Sequence, residues 1–101
     1  MDYLKDKVAL VIGSGGEMHR GVAVALAQAG ADIAVSGTAP DLAAEAALHS
    51  ISNEIWALGR RSTVITLLSD DATVFANAVE RAKSELGRAD VVVRSEPVLG
   101  A

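Results

Sequence analysis

The chain has 101 residues, enough for one domain, and carries nine Lys and Arg against thirteen Asp and Glu for a net charge of −4. No basic block stands out and only one Phe, one Tyr and one Trp are present, which argues against nucleic acid as a partner. The lack of cysteine excludes disulfides, thiolate metal sites and thiol nucleophiles from these residues, and the two histidines, His19 and His49, stand in no metal-ligand spacing.

Met1 to Lys7 is charged and leads into only five apolar residues, Val8 to Ile12. That run is too short for a signal peptide or a membrane span, so the expected setting is soluble, reducing and cytoplasmic, without a membrane partner. The five residues read as a buried strand. A glycine-rich turn, Gly13 to Gly21, follows, and then an apolar helix from Val22 to Ala29 closed by Gly30. Dinucleotide sites use this layout, in which bare backbone at the end of a strand admits a pyrophosphate to the positive end of the next helix.

A helix, a glycine and a strand then recur three times. Leu26 to Gly30 leads into Asp32 to Val35, Ile55 to Gly59 into Thr63 to Leu67, and Leu86-Gly87 into Asp90 to Val93. Each glycine sits where a left-handed backbone ends a helix at little cost. The β-branched runs suit parallel strands buried on both faces. The second helix begins near Pro40-Asp41 and aligns Leu48, Ile51, Ile55 and Leu58. The third follows Ser69-Asp70-Asp71, whose short oxygens suit a helix cap, and aligns Phe75, Ala78, Val79, Ala82 and Leu86. The pattern predicts a single α/β domain over residues 1–101, βαβαβαβ, with a Rossmann-like parallel sheet in the order 3-2-1-4 between two helical layers. It also predicts an apolar edge at Val91 to Val93, which a further stretch of polypeptide or a partner must close.

Lys7-Val8-Ala9-Leu10-Val11, followed by Arg20, Ala23, Leu26, Ala27, Gly30 and Ala31, resembles the N-terminal part of the short-chain dehydrogenase/reductase family. The resemblance covers essentially the whole chain, but the cofactor motifs depart from it. The family's first turn looks like Thr-Gly-x-x-x-Gly-x-Gly; here Ile12 takes the Thr position, Gly13 is kept, and Glu17 and His19 replace the later glycines. Gly15 and Gly16 fall at variable positions. Ser36-Gly37-Thr38 lacks the Asp that would hold a free ribose hydroxyl, so the resemblance leans towards NADP over NAD. Leu67 stands for the adenine-holding Asp, and Arg94-Ser95-Glu96-Pro97 for Asn-Asn-Ala-Gly. The cofactor-contacting positions left are Gly13, Gly15, Gly16 and Thr38, as a vestigial site. The family's catalytic Ser, Tyr and Lys have no counterparts; Tyr3 and Lys7 have the right spacing but precede the first strand.

Glu17 stands at the mouth of the first helix, where the macrodipole favours an anion. It is expected to satisfy the N–H groups a diphosphate would take, and to repel a phosphate. Arg20 either pairs with Glu17 across a turn or is solvated. His19 is expected to be a loop or helix-start residue, His49 a solvated one, and Trp56 a packing or interface residue. Asp70 and Asp71 are expected to cap a helix rather than bind metal, and Arg60 and Arg61 to meet carbonyls at a helix end.

Two functional readings follow. One is a non-catalytic chain in an oxidoreductase context, a structural or partner subunit or a fragment, holding no dinucleotide tightly and joining a homo-oligomer or an active relative. The other is an NAD(P)-dependent oxidoreductase acting on an alcohol or carbonyl, with Ser, Tyr and Lys beyond residue 101.

Overall fold

The computed structural model describes residues 3–69 and 71–95. Four strands, β1 (Val8–Ile12), β2 (Asp32–Thr38), β3 (Ser62–Leu67) and β4 (Val91–Arg94), alternate with helices α1 (Glu17–Gln28), α2 (Leu42–Ala57) and α3 (Ala72–Leu86). All pairings are parallel and the order is β3-β2-β1-β4, as the crossover argument predicts. β1 is buried along its whole length and β2 at its five central residues, whereas β4 alternates half-buried with exposed. Alternation marks an edge strand that lacks a helix over one face.

The pleat sends successive side chains to opposite layers. Ala9, Val11, Ile33 and Val35 pack with Ala23 and Ala27 of α1 and Leu48, Ile51 and Ile55 of α2. Val8, Leu10, Ile12, Ala34, Ile65 and Leu67 face α3 through Ala78, Ala82 and Leu86. The stripes read from the sequence therefore face the core, with Phe75 and Val79 only partly buried against it and Leu58 the exposed C-cap of α2. Asp41 caps α2 by accepting from the Ala44 N–H, and Asp71 caps α3 by accepting from the Val74 N–H. Asp70 lies outside the described residues. Gly30, Gly59 and Gly87 all hold positive φ after a helix end; at Gly30 a Cβ would also meet the Lys5 backbone N at 2.9 Å.

Two boundaries differ from the sequence reading. α1 starts at Glu17, five residues before Val22. Gly21, which reads as part of the turn, lies inside the helix on its outer face, where nothing stands within 4 Å of its missing Cβ. β2 runs on to Thr38, because Gly37 and Thr38 continue the ladder opposite Thr66 and Leu67.

Candidate functional site at the glycine loop

Parallel crossovers bring the C-terminal ends of all four strands to one rim of the sheet. There Gly13 leaves β1, and its N–H donates to the Ser36 carbonyl of β2 at 2.9 Å. Thr38 is exposed at the end of β2. Ser95, just past β4, donates its N–H to the Ile12 carbonyl at 2.9 Å. Gly13, Gly15, Gly16 and Thr38 thus share the rim that a dinucleotide would approach.

His19 decides the shape of that rim. It is the third residue of α1 and is completely buried. The Gly15 N–H donates to its Nδ1 at 2.9 Å. With Nδ1 accepting, Nε2 carries the proton, and it faces the Val11 carbonyl at 2.9 Å. The imidazole ties the outward bend of the loop to the strand that precedes it. The expectation of an ordinary loop or helix-start residue is corrected: His19 belongs to the inner stripe of α1, with Ala23 and Ala27 at spacings of four. That stripe is visible in the sequence, and was the signal that could have found it.

The retained glycines have causes inside the protein. A Cβ on Gly13 would fall 2.6 Å from His19 Cγ and 2.5 Å from Ser95 Oγ. Gly15 has φ +88°, and its Cβ would meet Ala47 Cβ at 2.9 Å. Gly16 is the N-cap residue of α1, and its N–H is turned to Ser14 Oγ at 3.3 Å. Three of the loop's N–H groups, on Gly13, Gly15 and Gly16, are therefore engaged by protein atoms.

The expected cap by Glu17 is absent: the residue is exposed and α1 has no side-chain cap. As the first helical residue, it leaves its carboxylate in water beside the positive helix end. Arg20 neither pairs with Glu17 nor stands alone in solvent. It reaches α2, donating to both carboxylate oxygens of Glu54 at 2.7 and 2.5 Å; those bonds hold its guanidinium above its usual pKa. His49 is exposed, 3.8 Å from Glu45. Trp56 is half-exposed with its indole N–H on the Ser62 carbonyl. Arg61 caps a helix end, but that of α3, through the Leu86 carbonyl, while its Nε binds Asp32. Leu67 is buried and Leu68 is almost fully exposed. Arg94 stacks over Phe75, 4.4 Å from the ring centroid. An open groove of about 160 Å³ lies on the opposite face of the sheet from His19, between β3 and α3, lined by Leu67, Leu68, Val74 and Arg81. Among the described residues no three His, Cys, Asp or Glu side chains group as metal ligands, and no helix is long and apolar enough to cross a membrane.

A parallel sheet of this order, with a glycine loop between β1 and α1, defines a Rossmann-like α/β unit of the dinucleotide-binding type. No protein-family model matches the chain. It is similar to 2-dehydro-3-deoxy-D-gluconate 5-dehydrogenase from Dickeya dadantii, 33% identical over 97 residues, 95% of this chain and 35% of that protein. Its fold is similar to a short chain dehydrogenase from Mycobacterium avium, with TM-score 0.85 and 26% identity over 97% of this chain and 35% of that one. Carveol dehydrogenase from the same organism, in complex with NAD, gives TM-score 0.83 and 26% identity over 97% of this chain and 38% of that one. A blue fluorescent protein from a metagenomic library, in complex with NADPH, is 34% identical with TM-score 0.75, over 88% and 35%. In sequence and fold the chain is thus similar to the N-terminal third of short-chain dehydrogenases/reductases, and the solved structures it resembles include complexes with NAD and with NADPH. The chain spans about a third of the length of the curated relatives it matches.

Proposed function

We propose that this chain is a non-catalytic bearer of the short-chain dehydrogenase/reductase fold, a structural or partner subunit in an oxidoreductase context, with no tight NAD or NADP site of its own. The bond from the Gly15 N–H to the buried His19 imidazole carries the reading. A diphosphate is held by backbone N–H groups at the loop and helix start, and here Gly15 and Gly16 give theirs to His19 and Ser14. The Glu17 carboxylate adds a like charge where a phosphate would dock. The residues present therefore fit the group poorly.

NADH and NADPH titrations followed by nicotinamide fluorescence test this. No saturation up to millimolar nucleotide is expected of the wild-type chain, and saturation at micromolar levels overturns the reading. The double variant Glu17→Gly with His19→Gly is expected to gain measurable affinity. Affinity unchanged by the double substitution would show that the loop is not what closes the site.

The NAD and NADPH complexes among the solved neighbours support a second reading. Under it the chain is the adenosine-binding part of an NAD(P)-dependent oxidoreductase acting on an alcohol or carbonyl. Gly13, Gly15, Gly16 and Thr38 would contact the cofactor, and the catalytic Ser, Tyr and Lys would lie beyond residue 101. The lack of a carboxylate in Ser36-Gly37-Thr38 then favours NADP. Under either reading the partner is another copy or an active relative, in the cytoplasm.

A further inference from the structure

The closed glycine loop requires a neutral His19. Gly15 donates its N–H to Nδ1 at 2.9 Å, so that nitrogen must keep its lone pair. An imidazolium carries a proton on both ring nitrogens, which would set Nδ1–H against the Gly15 N–H, donor against donor. The ring's other bond responds in the opposite sense. Nε2 carries its proton in either state, and its bond to the Val11 carbonyl at 2.9 Å strengthens when the ring is charged. Protonation therefore loosens the ring from the loop and tightens it on β1. Since the position is completely buried, a charge there also needs water or an opposite charge beside it.

The charged groups on the surrounding elements, among the described residues, are already committed. On α1, Glu17 lies in water and Arg20 is bonded to Glu54 of α2. Glu45 of α2 accepts from Thr66 Oγ1 at 3.2 Å, with His49 3.8 Å away. Asp32 of β2 holds Arg61, Arg94 at the end of β4 stacks over Phe75, and β1 carries no charge. Water must then reach Nδ1, and the loop is the part that can give way. Its two ends are fixed, by the Gly13 N–H on the Ser36 carbonyl and by the Arg20 N–H on the Gly16 carbonyl. Between them lie Ser14 and Gly15. The Gly16 N–H bonds Ser14 Oγ within the same turn, and glycines at 13, 15 and 16 let the backbone change its dihedral angles cheaply.

We propose that His19 is a proton-operated latch on the glycine loop. Uptake of one proton at Nδ1 releases the Gly15 N–H, and Ser14 and Gly15 lift while the ring stays on the Val11 carbonyl. The closed loop excludes this proton and the open loop accepts it, so the sign is set. Closure is favoured at neutral and higher pH, and its advantage declines about tenfold per pH unit once pH falls below the ordinary imidazole value of about 6.5. The latch rests on the closed loop of the proposed function. Amide exchange reads it without any nucleotide, so the two can fail separately.

The test follows the wild-type chain by NMR as pH is lowered, reading imidazole nitrogen shifts together with amide protection corrected for the intrinsic pH dependence of exchange. Neutral His19 with its proton on Nε2 is expected at pH 8. Below about pH 6.5, Gly15 protection is expected to fall about tenfold per unit, while the amides of β1 and β2 keep theirs. Exposed His49 is the internal control, and His49→Gln is expected to leave the Gly15 response intact. His19→Asn keeps an acceptor near the Nδ1 position but does not titrate, and is expected to make Gly15 protection independent of pH. Should that variant fail to fold, the wild-type comparison of Gly15 with the strand amides decides alone. Gly15 protection that stays constant through and below the titration of His49, or that is lost only together with the strand amides, overturns the proposal. A folded His19→Asn with the wild-type pH response does so too.

Discussion

Replacing His19 by Ala tests whether the imidazole holds the loop closed. The substitution removes two hydrogen bonds, from the Gly15 N–H to Nδ1 and from Nε2 to the Val11 carbonyl. It also empties a completely buried position between α1 and the sheet. Each bond contributes about 1 kcal/mol net, and the vacated space adds a cavity term on the order of 1–2 kcal/mol once the walls relax. A loss of about 3–4 kcal/mol follows, a large share of the ~5–15 kcal/mol of a typical domain. Urea unfolding followed by far-ultraviolet circular dichroism measures it directly. Hydrogen exchange at the Gly15 amide should accelerate in the same variant, because its acceptor is gone. His19→Phe separates the two contributions: it fills the space, leaves both backbone groups without the imidazole, and should recover part of the loss. A loss under about 0.5 kcal/mol in His19→Ala, within the range of ordinary surface substitutions, with Gly15 exchange unchanged, would refute the closed-loop argument.

Glu17→Gln should leave the unfolding midpoint in urea nearly unchanged, since the carboxylate caps nothing; a marked loss would restore it as a cap. Asp41→Ala should cost about 1 kcal/mol, read from the same unfolding curves, because it deletes the acceptor for the Ala44 N–H. Hydrogen bonding from the Val8 N–H, with Arg88 beside it, holds the Asp90 carboxyl below its usual pKa. The unfolded chain therefore binds this proton first as the medium is acidified. The stabilisation is complete well above about pH 4 and declines as pH falls through that value towards the lower folded pKa. Thermal melts between neutral and acidic pH should show Asp90→Asn with a shallower acid decline than wild type, and equal slopes would contradict the assignment.

How much was legible in the sequence depended on whether the cause was local. Strand order followed from repeated helix-glycine-strand units, because a right-handed crossover leaves few alternatives. The cap at Asp71 followed from chemistry within three residues, whereas Asp41 was legible only as the start of α2 and the structure makes it the cap. The start of α1 was obscured by Gly21, whose freedom suits a turn but whose missing side chain costs an exposed helix position only about 1 kcal/mol. The bond between Arg20 and Glu54 joins residues 34 apart, so only the packing of α1 on α2 determines it. Placing Glu17 at the helix mouth was right, and assigning it a bond was not. A dipole sets a preference for charge, whereas a cap needs a side chain that returns to the backbone, and here the extended N-cap residue is a glycine.

His19 also changes what the surviving glycines mean. A glycine in such a loop is usually taken to leave room for a ligand's phosphates, so Gly13 and Gly15 would count towards a working site. Yet the space beside Gly13 is filled by His19 and Ser95, and Gly15 has a left-handed backbone against Ala47. Both residues would be needed if no nucleotide ever approached. Keeping them is then a requirement of packing α1 on β1 with an imidazole between, and says nothing about binding. What a dinucleotide needs besides glycine is unengaged N–H donors at a positive helix end. In this chain the donors of Gly15 and Gly16 have turned to His19 and Ser14, while the helix end has acquired an acid. On the reading proposed above, the imidazole that keeps the loop closed and packs α1 on the sheet is also what would deprive a diphosphate of the Gly15 donor.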